Sequence, residues 1–193
     1  MPAPKPSRRE ALTDLAIAMM QKSGFSALGL RDLAEAAQMR PPSLYNYFAS
    51  KDDMARAALA HYVARHRAEL EALDAVPTGA GRIRLYSQRC GECVRRDGSL
   101  CLFLMLTADS HDLSADAVRE MRGLVEEQMG WLARAWDAGL ADGSIQSAQA
   151  GAAMGPVLFG ALRGMMVFSI LQPDPEADFT ARMESLLAGL GVA

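Results

Sequence analysis

The sequence predicts an all-α protein. Composition and periodicity carry that reading. Half of the 193 residues are apolar, 22% are charged and only 6% are aromatic. The apolar share is rich in Ala, Leu and Met and poor in β-branched residues, a balance that favours helix. Apolar residues recur at spacings of three and four, and the periodic stretches stop at Gly and Pro. About nine helices are expected, as a three-helix head over residues 1–51 and a larger helical body over 52–193. A chain of this length can bury a core as one large domain or two small ones.

The first helix is expected over 7–22, where Leu12, Leu15, Ala16, Met19 and Met20 share a face and Ser23-Gly24 ends it. The second spans 30–37, with Leu30, Leu33, Ala34 and Ala37 on one side. A turn at Gln38-Met39-Arg40 leads to a third helix over 41–47, and Lys51 opens a fourth that runs to 73. Residues 76–81 break the pattern. Further helices are expected over 82–96, 100–109, 114–141, 147–171 and 176–189, with Asp142-Gly143 and the Pro-containing run 172–175 as stops.

The head carries the informative chemistry. Two short helices joined by a three- or four-residue turn make a helix-turn-helix, and neither can bury its apolar face alone. Leu44 and Phe48 stand four apart, so they point inward together, with Leu15 and Met19 of the first helix as a third wall. Ser43, Tyr45 and Asn46 then face out. Pro41 and Pro42 are tolerated in a first turn, whose N–H groups have no helical partner, and they set where the third helix starts. Their rings suit thymine methyl groups, while Tyr45, Asn46, Tyr47 and Lys51 suit phosphate oxygens. Arg31 and Arg40 complete the expected DNA-contacting set. The arm with Lys5, Arg8 and Arg9 reads as a solvated tail within reach of phosphate. Charge agrees. Residues 1–70 hold ten Lys and Arg against seven Asp and Glu in a chain of net charge −3, which leaves an acidic body.

The run 9–53 resembles the N-terminal domain of the tetracycline-repressor (TetR) family. The resemblance rests on the apolar first helix, Gly24-Phe25, the stretch Leu30-Arg31-Asp32-Leu33-Ala34-Glu35-Ala36-Ala37, and Ser43-Leu44-Tyr45-Asn46-Tyr47-Phe48 followed by Ser50-Lys51-Asp52. It covers about a quarter of the chain. It implies a homodimer that binds a palindromic double-stranded DNA operator, acts as a repressor and is released by a small ligand. Two positions depart from the family pattern. Gly29 stands where Ser or Thr is common, and Gln38 where the turn commonly has Gly, so a positive φ there would strain Gln.

In the body, the resemblance implies dimerisation through the last two long helices. Gly151, Gly155, Gly160 and Gly164 stand at spacings that allow close backbone approach, and they are the expected interface residues. An effector pocket is expected among Cys101, Phe103, Met105, Met129, Trp131, Leu132, Trp136, Phe159, Met166 and Phe168, since Met and aromatic side chains suit adaptable apolar pockets. No cluster of charged residues is visible along the chain, so the expected effector is a small apolar or electrophilic molecule. The stretch 97–102, running on to Leu113-Ser114, resembles a TetR subgroup with a cysteine at the start of its sixth helix. Some members of that subgroup sense electrophiles or oxidants there, so Cys101 offers an alternative release mechanism, with Arg95 and Arg96 as groups that favour its thiolate.

Other function classes find no support. The chain has no G-x-S-x-G, no H-E-x-x-H and no glycine-rich phosphate loop, so no catalytic residue, cofactor or enzyme activity is expected. Cys90-x-x-Cys93 lacks a second pair, so no metal is expected. An odd cysteine count fits a reducing cytoplasm, and residues 1–7 lack the apolar run of a secretory signal. Residues 148–171 are long and apolar enough to span a bilayer. Arg163, Pro156 and four glycines interrupt them, so a doubly buried helix is expected and no membrane partner.

Overall fold

The computed structural model describes residues 7–94 and 99–193. Nine α-helices and one 3-10 turn account for the regular structure among those residues, and the chain divides into two compact units. The only pairing of β type among them is an isolated bridge between Ile145 and Val192.

The first unit takes residues 1–64 together with 101–121. It thus extends beyond a head ending at residue 51 and draws in a segment far along the chain. Its helices are α1 Arg8–Ser23, α2 Leu30–Ala36, α3 Pro41–Leu44, the start of α4 Lys51–Leu73, α6 Leu102–Ala108 and the start of α7 Ala115–Asp142. Ser7 caps α1: its hydroxyl accepts from the Glu10 amide while the Glu10 carboxylate accepts from the Ser7 amide. Those bonds, with the backbone one the stronger, hold the Glu10 carboxyl below its ordinary pKa. Leu12, Ala16 and Met20 of α1 meet Leu33 and Ala34 of α2 in a core that also takes in Leu44, Phe48 and Met54, all at 2% exposure or less. α6 packs on α1.

The second unit takes residues 65–100 and 122–193. It holds the end of α4, α5 Gly79–Glu92, most of α7, α8 Gly151–Ser169 and α9 Pro175–Gly189. α5 starts three residues earlier than the sequence suggests, at the Gly-rich break itself. The Thr78 hydroxyl accepts from the Gly81 amide at 3.2 Å and the Asp142 carboxylate from the Gly79 amide at 2.8 Å, so the turn is fully capped. Gly79 is required because a Cβ there would lie 2.1 Å from the Gly139 nitrogen of α7. α8 starts later than expected, at Gly151, whose amide donates to Asp137 at 2.7 Å. The core holds Ile83, Leu132, Trp136, Leu158, Met166 and Phe179, each at 2% exposure or less.

α8 is the one helix among the described residues that is long and apolar enough to cross a membrane, with mean hydropathy 1.4. Its apolarity divides between two faces. Met154, Leu158, Leu162 and Met166 are buried, whereas Val157 and Phe168 stand 53% and 64% exposed.

Candidate nucleic-acid interface

α3 is four residues long and cannot persist alone. Its prolines occupy the first two positions, Arg40 caps it, and the Ser43 amide donates to the Arg40 carbonyl at 2.9 Å. The helix closes at Leu44 rather than at Tyr47, because the chain turns around one carbonyl. The amides of Tyr47 and Phe48 both donate to Leu44 O, at 2.8 and 3.1 Å. The second bond keeps the four-residue spacing, so Leu44 and Phe48 still point inward together, each at 0% exposure.

Burying those two side chains turns the rest of the segment outward. Arg31, Arg40, Pro41, Pro42, Tyr45 and Asn46 are exposed, Tyr45 by 55%, while Ser43, Tyr47 and Lys51 are half-buried. Arg31 and Arg40 form no ion pair among the described residues, so their guanidinium groups face solvent. The expected contact residues of the α3 segment therefore form an outward row, with Ser43 and Tyr47 half-buried in it, over a sealed core.

The turn before that row is a Schellman closure. The Met39 amide donates to Ala34 O at 2.8 Å and the Gln38 amide to Glu35 O at 3.0 Å. Such a closure needs a left-handed residue, and Gln38 supplies it at φ 53°. The strain read from the sequence is present, at a cost of about 1 kcal/mol relative to Gly.

Supporting residues lay outside the sequence reading. The Ser26 amide donates to Asp109 at 3.0 Å, its hydroxyl donates to Asp112, and its carbonyl accepts from Lys51 Nζ at 2.9 Å. The Ser26 amide bond is the main reason the Asp109 carboxyl sits below its usual pKa. Lys51 also lies 4.4 Å over the Phe25 ring, so it braces the turn as well as fronting α4. Arg9 sits 5.4 Å over Phe48 and 3.8 Å from Asp53. Arg8 reaches the Ala37 carbonyl. These two arginines belong to the scaffold of α1 rather than to a free arm; Lys5 lies outside the described residues. The signals that would have found these contacts are absent from local sequence, since Ser26 and Asp109 are 83 residues apart.

The effector candidates fall in both units. Cys101, at 1% exposure, caps α6 with Phe103 and Met105 following it in the first unit. The reachable thiol that electrophile sensing needs is not what this burial provides, and Arg95 and Arg96 lie outside the described residues. Met129, Trp131, Leu132, Trp136, Phe159 and Met166 lie in the second unit. Trp131 donates to Asp74 at 2.9 Å and Trp136 to the Gln149 carbonyl at 2.8 Å, so both indoles are fixed core members. Phe168 lies instead on the outer face of α8. Of the cysteine pair, Cys90 is buried and Cys93 exposed; the described residues hold no group of three or more metal-ligating side chains.

The four glycines of α8 also separate. A Cβ on Gly151 would meet Ala133 O at 2.1 Å and one on Gly155 would meet Met129 O at 2.4 Å. Both therefore serve the crossing of α8 on α7 within this chain. Gly160 and Gly164 have nothing within 4 Å and stand on the open face. There Ala161, Gly164, Met165 and Phe168 of α8 form an apolar groove with Ala181, Ser185 and Leu186 of α9.

A family model described as "Bacterial regulatory proteins, tetR family" matches residues 12–58, the segment that builds this exposed row. Over that segment the chain is similar to the TetR family. It is 38% identical over 69 residues to the transcriptional repressor ComR of Escherichia coli, covering 36% of this chain and 33% of ComR. It is 33% identical over 115 residues to the repressor NemR of the same organism, covering 56% of each. These matched stretches span from a third to just over half of the relatives' length. The solved structure of E. coli NemR in its reduced form matches with a TM-score of 0.76 at 25% identity, over 92% of this chain and 95% of that one. A TetR-family regulator from Agrobacterium tumefaciens shares the fold, with a TM-score of 0.84 over 95% of this chain and all of that one at 18% identity.

The strained Gln38 yields a direct expectation. Gln38→Gly raises stability by about 1 kcal/mol in urea unfolding, with the m value unchanged, because a left-handed residue loses its Cβ conflict. A loss of stability would show that the Gln38 side chain contributes more than its backbone costs.

Proposed function

We propose that this chain is a homodimeric transcriptional repressor of the TetR family that binds a palindromic double-stranded DNA operator through α2 and α3 and releases it on binding a small effector. The observation that carries this is the exposed row Arg40 to Tyr47 held over the buried Leu44 and Phe48. Its prolines and hydroxyls suit base edges and phosphates, and the start of α4 beside Lys51 suits a phosphate oxygen. The chain is a soluble cytoplasmic regulator in this reading, not an enzyme. Effector and operator affinities are reciprocally linked.

The apolar groove between α8 and α9 supports self-association. Val157, Phe168 and Leu171 are exposed by 53%, 78% for the last and 64% for Phe168, a cluster that monomeric proteins seldom leave to water. A second copy is the occupant that continues the family's arrangement. Covering this face would also account for the membrane-like hydropathy of α8.

Two measurements test the reading. In gel shifts against the DNA flanking its own gene, Arg40→Ala weakens binding to specific and unrelated fragments alike and lowers the slope of log affinity against log salt by about one. Absence of specific binding by the wild type at any salt would sink the proposal. In sedimentation, Phe168→Glu gives a folded monomer that no longer holds the full palindrome; a dimer of wild-type strength would place the interface elsewhere.

A second reading keeps the same output but releases DNA through oxidation of Cys101. The likeness to NemR, whose solved form is described as reduced, favours it; the burial of Cys101 weighs against it. If Cys101→Ser releases DNA under oxidant as the wild type does, thiol sensing is excluded.

A further inference from the structure

Left-handed backbone occurs at four places among the described residues. Three are glycines, Gly24, Gly143 and Gly191, at φ 83°, 78° and 77°. The fourth is Gln38, at φ 53°. Elsewhere the chain turns this way only on a residue without a Cβ. It departs from that use at one point, the turn between α2 and α3, where a side chain is costly.

Nothing inside the protein offsets that cost. Gln38 is exposed, so it adds no core burial. Its side-chain amide makes no hydrogen bond among the described residues. The Schellman closure is made by the Gln38 and Met39 backbone amides, and glycine would close it equally well. A strained residue whose side chain returns nothing to the fold points to a return outside it.

The surroundings of Gln38 indicate what that outside partner is. The Arg8 guanidinium reaches the carbonyl of Ala37, the preceding residue, at 3.5 Å. Arg40 follows two residues later, exposed and in no ion pair among the described residues. Glu35 is the one acidic side chain within three residues along the chain. A neutral amide thus stands between two cations at the start of the outward row. An amide offers both a donor and an acceptor. Between two arginines the arriving group is an anion, and the donor is the half that serves.

We propose that Gln38 is a DNA-contacting residue whose Nε2 donates to a phosphate oxygen of the operator backbone, beside the phosphates drawn to Arg8 and Arg40. The proposal rests on the reading of the chain as a DNA-binding regulator and adds a residue to its contact set. The partner is a phosphate rather than a base because the turn precedes the helix that offers Pro41 and Pro42 to base edges. Such a contact fixes register without reading sequence. The bond forms only in the complex, so the unbound protein carries the strain and the DNA-bound protein recovers it.

Fluorescence-anisotropy titrations over a series of salt concentrations test this, alongside urea unfolding. The probes are a duplex from the DNA flanking its own gene and a mixed-sequence duplex of equal length. Gln38→Gly resists urea better than the wild type yet binds both duplexes about tenfold more weakly, as loss of one hydrogen bond to a charged acceptor requires. Gln38→Ala, which keeps a Cβ at the strained φ, shows the same loss, so the flexibility of glycine is not its cause. Neither variant changes the slope of log affinity against log salt, because no charge is removed; Arg40→Ala does change it. Gln38→Lys, with an ammonium in reach of the same oxygen, binds both duplexes at least as tightly as the wild type and steepens the slope by about one. Circular dichroism checks that each variant is folded. Wild-type affinity in both Gln38→Gly and Gln38→Ala would overturn the proposal, as would an unchanged slope in Gln38→Lys. A loss confined to the flanking duplex would overturn the phosphate contact in favour of a base contact. If the wild type binds neither duplex at any salt, the regulatory reading falls and this contact with it. If the wild type binds and the variants match it, the Gln38 contact alone falls.

Discussion

The paired burial of Leu44 and Phe48 is the constraint on which the reading surface depends. A helix of four residues that begins with two prolines contributes almost no hydrogen bonding of its own. It exists because two large side chains, one turn apart, are fully buried. Full burial of each contributes roughly 2 kcal/mol, comparable to the cost of fixing a few residues of backbone. Everything that faces outward on that segment is oriented by what its two neighbours do inside. The polar residues are therefore presented rigidly, as binding without a large ordering cost requires.

Ser26 shows how that surface is tied down. All three of its polar groups are committed, to Asp109, Asp112 and Lys51. The turn between α1 and α2 is thereby joined to the segment after α6 within the same compact unit. Gly24, at φ 83°, must stay bare for the same reason, because a Cβ there would lie 2.8 Å from the Asp109 carboxylate. Side chains more than eighty residues along the chain thus help to set the shape of a motif whose local sequence looks self-sufficient.

Much of the fold was legible because helices write themselves in a period of 3.6 residues. The order of the elements, the inward pair in α3, the outward row and the strained Gln38 could all be read from short windows. Errors came where tertiary contact overrode local pattern. The Gly79-Ala80-Gly81 run reads as a break, yet it is the first turn of a helix pressed against α7. The glycines of α8 read as one stripe, yet two fit the α7 crossing and two face open space. Arg163 read as an interruption in an apolar run. Its polar partners Gln128 and Tyr86 lie 35 and 77 residues away, beyond any window that periodicity can search, so the charged cluster stayed hidden.

The outer face of α8 has a consequence for how much protein must be present. In the proposed dimeric repressor, leaving Phe168 and Leu171 to water disfavours the separated protomer, and folding is linked to encounter with a second copy. Stability then depends on protomer concentration. A dilute population would lose active repressor faster than in proportion to its numbers, because both the partner and the fold become scarcer together. Gene silencing by such a protein would have a threshold in copy number, set by the apolar groove between α8 and α9 even when no effector is present.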